Sequence, residues 1–242
     1  MNKSLNIALI GYGKMGKELE KLAKERGHQV VLIIDAPDDW TDADLSLADV
    51  ALEFTTPETA VRNILRCFEN GLPVVSGTTG WLDQYESVKQ QGIDLDQSLF
   101  FASNFSISVN IFFIINRILA KLMNNQPDYT VDIEEIHHTT KLDSPSGTAI
   151  VLANDIVQNM EHLDAWSKQK SSGNELEIRS VREENVPGTH IVTYESSFDQ
   201  IQIHHTAKTR KGFALGAILA AEWLHGRKGM FEMKDLLNLN EY

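Results

Sequence analysis

Cysteine is almost missing from this 242-residue chain, where Cys67 stands alone. One thiol excludes an intramolecular disulfide framework and any cysteine-rich metal site, and it suits a reducing compartment. Long hydrophobic runs are missing too, since none approaches the ~18 residues that cross a bilayer. The opening MNKSLNIALIGYGKMG has one basic residue and a short apolar stretch. That stretch, residues 5–10, is below the roughly 7–15 residues of a signal-peptide core, and no small-residue cleavage site follows. A cytoplasmic protein with no membrane partner is expected. Positive charge is scarce, with 22 Lys and Arg against 34 Asp and Glu, a net charge of −12. A surface of that sign repels phosphate backbones, and Trp40, Trp81, Trp166 and Trp223 form no aromatic ladder, so no nucleic-acid partner is expected. Internal repeats and low-complexity linkers are absent. Hydrophobic residues make up 42%, enough for a buried core in one large domain or two small ones.

Residues 5–10, 30–34, 49–54, 73–76 and 98–102 read as apolar strands. Helices are expected over 13–27, where Leu19, Leu22 and Ala23 are helically spaced and Gly27 is the stop, and over 57–70, between Pro57 and Gly71. A shorter one is expected over 82–91. Strands alternating with amphipathic helices predict a parallel sheet covered on both faces. Past Asn104 the pattern changes. Helices are expected over 108–123, 146–160, 213–224 and 233–239, and strands over 129–138, 176–182, 188–196 and 200–206. Neighbouring strands of this α+β block are expected to run antiparallel. Residues 164–174, rich in Lys and Ser, read as a mobile loop, His28 as a solvent-facing turn residue and Cys67 as an apolar filler.

Gly11-Tyr-Gly13-Lys-Met-Gly16 joins the first strand to the first helix. Gly11 permits a tight turn, Gly13 lets the backbone approach a pyrophosphate, and Gly16 lets the helix pack close to the strand. Free N–H groups and the helix dipole favour a diphosphate there. A bare glycine turn looks similar, but Asp35 ends the second strand about 20 residues on, at the place of a ribose-binding acid. The expected fold class is an α/β Rossmann-like parallel-sheet domain, 1–104 with 208–242 returning to it, plus an α+β domain over 105–207. Ala36 and Pro37 follow Asp35 with no basic residue near. A carboxylate there repels a 2′-phosphate, which favours NADH over NADPH, while Lys14 inside the loop keeps both dinucleotides open.

The densest chemistry lies in Glu134-Glu-Ile-His137-His138-Thr-Thr-Lys141-Leu-Asp143-Ser-Pro145-Ser146-Gly147-Thr148-Ala149. Histidine donates or accepts a proton near neutral pH, and a lysine ammonium attracts a carboxylate. Ser146, Gly147 and Thr148 open a helix whose first N–H groups suit an anion. Adjacent histidines on a strand point to opposite faces, so at most one faces a cleft, and a structural role for either stays open. His204 and His205 form a second pair. No carboxylate or cysteine ligand pattern accompanies either pair, so no metal is expected.

The run from Glu135 to Ala149 resembles the signature of the dihydrodipicolinate reductase (4-hydroxy-tetrahydrodipicolinate reductase) family. Phe54-Thr-Thr-Pro57, Gly77-Thr-Thr-Gly80, Ala102-Ser-Asn104-Phe105-Ser106, Thr209-Arg210 and Phe213-Ala214 match the family in order, so the likeness covers almost the whole chain. It implies NAD(P)H-dependent reduction of a small cyclic dicarboxylate in the diaminopimelate route to lysine, by a homotetramer in which 105–207 is the substrate-binding and oligomerisation domain. It further implies His137 as proton donor and Lys141 as its partner in catalysis and substrate binding, with His138, Ser146, Gly147 and Thr148 holding the substrate carboxylates. Gly11, Gly13, Lys14, Met15, Gly16, Asp35, Phe54, Gly77, Thr79, Ala102, Asn104, Phe105, Arg210 and Phe213 are the implied cofactor contacts, and 104–106 the hinge. The stretch between Asp35 and Asp49 is shorter than the family's, Ser144 replaces a common Ala, and Lys14 stands where many relatives have Arg. Another Rossmann-type amino-acid dehydrogenase would share the glycine turn and Asp35 without the His-His-x-x-Lys run. A non-catalytic NAD-sensing module would need neither His137 nor Lys141.

Overall fold

The computed structural model describes residues 4–35, 40, 43–169, 174–209 and 211–239. The chain forms two compact units, Met1–Ile107 with Lys211–Glu241, and Ser108–Arg210. Among the described residues no helix is long and apolar enough to cross a membrane.

The first unit is built on six parallel strands, β1 (Asn6–Ile10), β2 (Gln29–Ile34), β3 (Val50–Glu53), β4 (Val74–Ser76), β5 (Ser98–Phe101) and β11 (Gly229–Phe231), in the order β11-β5-β4-β3-β1-β2. Its apolar runs are nearly continuous because both faces are covered. Ile7, Leu9, Val50, Leu52 and Phe100 meet α1 (Lys14–Glu25) and α6 (Lys211–Leu224) in one buried cluster. The alternate residues Ala8, Ile10, Ala51, Val74 and Leu99 meet α2 (Pro57–Glu69) and α3 (Tyr85–Asp94) in a second. Each large side chain so buried contributes about 1.5–3 kcal/mol. Cys67 is buried in the second cluster, as a filler should be. Helix α2 starts where Pro57 fixes the first turn and Thr59 Oγ1 accepts the Thr56 N–H at 3.4 Å, and it stops before Gly71, whose φ is +70°. Since β1 lies between β2 and β3, the chain leaves it in opposite directions, opening a crevice at its carboxyl end.

The second unit carries α4 (Ile107–Met123), β6 (Thr130–His137), α5 (Gly147–Asn159), β7 (Ala165–Ser167), β8 (Glu175–Arg182), β9 (Gly188–Glu195) and β10 (Gln200–Ala207), the strands ordered β10-β9-β6-β8-β7. Ile133, Ile178, Val192 and Tyr194 pack against Phe112, Met123, Leu152 and Ile156 of the helices.

Three expectations need correction, and one strand had none. The sheet of the second unit is mixed: β9 is antiparallel to β6 and β10, but β8 is parallel to β6 and β7. Helix α5 separates β6 from β8 in sequence, and such a crossover delivers a parallel partner. Residues 165–167, read as loop, form β7, while 170–173 lie outside the described residues. Strand β11 went unread, being only three residues long. His28 is buried, not solvent-facing: its Nδ1 accepts the Leu5 N–H at 3.1 Å and its Nε2 lies 2.9 Å from Glu222 of α6. With Nδ1 accepting, Nε2 carries the proton.

Candidate active site

In the first unit the crevice after β1 is closed by a turn that only glycine can make. Gly11 has φ +93°, and a Cβ there would lie 2.1 Å from the Phe54 carbonyl oxygen. A Cβ on Gly16 would lie 2.3 Å from the Gly11 carbonyl oxygen, so α1 begins flush against the turn. The Tyr12 N–H donates to Asp35 Oδ1 at 3.1 Å, which holds that carboxylate beside the turn. A cavity of about 520 Å³ opens here, its lining including Gly11, Gly13, Asp35, Trp40, Phe54 and Arg62. Its bare turn, its acid after β2 and its volume fit a dinucleotide. The absence of a basic residue near Asp35 holds along the chain and fails in space, because α2 brings Arg62 to the same cavity. Ala36 and Pro37 lie outside the described residues.

Beside the cavity, Glu53 is wholly buried and accepts hydrogen bonds from Ser76 Oγ at 2.7 Å, Thr78 Oγ1 at 2.9 Å and the Thr55 hydroxyl. One carboxylate thereby ties the turn after β3 to the Gly77–Gly80 loop. The absent side chain of Gly77 makes room for the Phe54 ring, which a Cβ would meet at 2.1 Å, and that ring packs on Phe105 with centroids 5.6 Å apart. Met15 and Ala102 belong to the same apolar cluster. Lys14 and Thr79 are exposed, Phe213 is half-buried on α6, and Asn104 Oδ1 accepts the Ser106 N–H at 2.9 Å. Arg210 lies outside the described residues.

In the second unit, His137 ends β6 and is buried, its Nε2 3.0 Å from where a Cβ on Gly188 would stand. Two residues earlier on the same face, Glu135 is wholly buried. Its two oxygens accept the Ser146 N–H at 3.1 and 3.0 Å, and Oε1 accepts the Ser180 hydroxyl at 2.7 Å. His137 Nδ1 is 3.5 Å from Oε2, too far for a hydrogen bond but close enough for the carboxylate to act on the imidazole's proton. Register sets His190 opposite Glu135, and its ring meets His137 edge-on at 5.1 Å. Ser146 caps α5 by accepting the Ala149 N–H at 3.2 Å and lies 3.0 Å from His190 Nε2. The N–H groups of Gly147 and Thr148 stand in the helix's first turn. Lys141 Nζ is 2.8 Å from Asp143, and His138 Nδ1 is 2.8 Å from Thr140 Oγ1, so His138 belongs to the loop and not to the buried cluster.

Burial holds the His137 imidazole below its ordinary 6.5, helped by Lys141 and Arg182 and opposed by Glu135 and Asp143. Burial and the neighbouring His137 push His190 down to about 3, so it is neutral near pH 7. Burial works to raise Glu135, but the Ser146 and Ser180 donors outweigh it and keep the carboxylate charged.

The model of the dihydrodipicolinate reductase amino terminus matches residues 5–105, and that of its carboxyl terminus matches 108–237. A 4-hydroxy-tetrahydrodipicolinate reductase of Christiangramia forsetii is 51% identical over 236 residues, covering 97% of this chain and 98% of the relative. The chain belongs to the dihydrodipicolinate reductase family. Another reductase of the same name, from Neisseria meningitidis serogroup B, is 31% identical over 91% of this chain and 84% of its own. The dipicolinate-bound dihydrodipicolinate reductase of Paenisporosarcina sp. TG-14 shares the fold, with a TM-score of 0.75 at 22% identity over 95% of this chain and 98% of its own.

Within this reductase the structure joins Gly11, Gly13, Asp35 and Phe54 around one cavity, and His137 and Ser146 around one carboxylate. Glu53, Arg62, Glu135 and His190 were missed. Glu135, His137 and His190 bring ligand-type atoms within 4.8 Å of one another, so a carboxylate does accompany the first histidine pair. The group still does not fit a cation. Glu135's oxygens already accept three hydrogen bonds, and the Arg182 guanidinium stands 3.7 Å away.

Proposed function

We propose that this chain is an NAD(P)H-dependent 4-hydroxy-tetrahydrodipicolinate reductase of the diaminopimelate route to lysine. The observation that carries the mechanism is Glu135, one buried carboxylate joining the imidazole of His137 to the start of α5. When bound, the dinucleotide supplies a hydride from nicotinamide C4 to the substrate ring once its 4-hydroxyl has left as water. His137 gives the proton that the developing enamine takes up, and Lys141 stabilises its negative charge. The Gly147 and Thr148 N–H groups and the Thr148 hydroxyl hold one substrate carboxylate, His138 the other; two fixed points orient the ring for reaction. Dipicolinate, which the Paenisporosarcina reductase carries, is a cyclic dicarboxylate of the class this site is read to take. The active form in this reading is a cytoplasmic homotetramer, and 1–104 with 208–242 holds the cofactor.

The test is oxidation of NADH and NADPH in an assay coupled to synthase-generated substrate. The native chain should turn over, and His137→Gln should lower kcat by roughly 10²-fold or more with a smaller change in KM. Unchanged turnover would remove His137 from the role. No oxidation of either dinucleotide with that substrate would sink the reading as a whole.

A further inference from the structure

Arg62 lies in the first half of α2, on the wall of the cavity that Asp35 and the glycine turn also line. It is exposed, and no hydrogen bond, ion pair or ring contact engages its guanidinium among the described residues. Its neighbour one turn on is spent differently. Arg66 stands over the Trp40 ring at 5.3 Å, and Trp40 also lines the cavity. The cavity wall therefore holds an indole backed by a cation and, beside it, an uncommitted guanidinium. In a chain of net charge −12, an unpaired arginine on a cavity wall invites an anion.

Which anion follows from the other walls. The pyrophosphate of a dinucleotide is met by the backbone of the turn, and the acid after β2 marks the adenosine ribose. Asp35 is drawn toward the turn by the Tyr12 N–H at 3.1 Å. Trp40 follows Asp35 in the chain and is covered by Arg66, one turn from Arg62, so this stretch of the wall is on the side of the ribose, where NADPH differs from NADH by one 2′-phosphate. Asp35 alone would repel that phosphate. A planar guanidinium offers it paired donors and a compensating charge.

We propose that Arg62 receives the 2′-phosphate of NADPH, supplying from α2 the positive charge that the segment after β2 lacks, so that this chain accepts both dinucleotides. The inference rests on the dinucleotide reading of the cavity and goes beyond it by assigning the residue that sets cofactor choice.

The experiment is calorimetric titration of the native chain, Arg62→Ala and Arg62→Lys with four probes: NADPH, NADH, adenosine 2′,5′-bisphosphate and 5′-AMP. The alanine variant should fold, because Arg62 is exposed and unpartnered, and an unchanged melting temperature checks this. Its preference for NADPH relative to NADH should fall roughly 10- to 100-fold, the worth of a charge-assisted contact, and 2′,5′-bisphosphate should lose the same factor relative to 5′-AMP. Arg62→Lys should retain part of the preference, and high salt should narrow the difference. An unchanged ratio, an equal loss for both members of each pair, or a native chain that binds NADH but not NADPH would overturn the proposal. Failure of all four probes to bind would instead overturn the dinucleotide reading, and this inference with it.

Discussion

A carboxylate without any exposure, kept charged by three hydrogen bonds, is costly to bury and has to be explained by what surrounds it. Around Glu135 stand His137 on its own strand, His190 on β9 and Arg182 on β8, while Lys141 and Asp143, on the loop beyond β6, act on His137. Of these charges, Glu135 is the chief one that favours a protonated His137; burial, Lys141 and Arg182 oppose it. Glu135→Gln keeps the volume and removes the charge, so the imidazole pKa falls further. A general acid works only while protonated, so kcat/KM declines as pH rises through that pKa. The declining limb of the variant should therefore lie at lower pH than that of the native chain, with the profile of kcat/KM reporting the free enzyme. A variant that loses rate equally at every pH, its limb unmoved, would make Glu135 a structural brace only.

Among the elements, α6 shows how closely the first unit is packed. A Cβ on Gly216 would stand 1.8 Å from the Phe105 carbonyl oxygen, whereas nothing lies within 4 Å of one on Gly212 in the same helix. Gly→Ala inside a helix gains about 1 kcal/mol of propensity, but a backbone oxygen cannot turn aside, so overpacking of about 1–3 kcal/mol outweighs it at Gly216. Thermal melts should show Gly216→Ala less stable than the native chain and Gly212→Ala equal to it or better. Equal melting of the two variants would mean that α6 moves freely. Such contacts also mark how far sequence reading reaches. Strands β1, β3, β4 and β5 were legible because burial on both faces leaves unbroken apolar runs, the edge strand β2 because its run of Val and Ile is apolar although only Ile34 is buried, and the glycine turn because its chemistry is local. Three residues of β7 or β11 carry no period, and β11 exists only through its pairing with β5. His28 was misread because the partner that buries it, Glu222, is remote in sequence. Arg62 and His190 were missed for the same reason: a helix and a strand register bring them to Asp35 and Glu135. The parallel pairing of β6 with β8 did have a cue, the intervening α5.

At the scale of the whole molecule, β10 bears on assembly. This outer strand runs eight residues, pairs only with β9 among the described residues, and has no register shift along that pairing. Within it there is no proline or lysine, the devices that keep an edge from pairing with another chain. Ile201 is 41% exposed, and Phe198, in the turn just before the strand, is 92% exposed. A long, regular, unprotected edge is what a subunit contact would cover, in agreement with the homotetramer proposed above. Sedimentation should give four times the 27.2 kDa chain mass. Because each chain carries −12, association should strengthen as salt rises toward 0.15 M, where screening acts over about 8 Å. Ile201→Lys sets a charge on the edge and should shift the native species to a smaller one while leaving the melting of the isolated chain nearly unmoved. A native chain that sediments as a monomer would end the tetramer, and a lysine variant that stays tetrameric would move the contact away from β10.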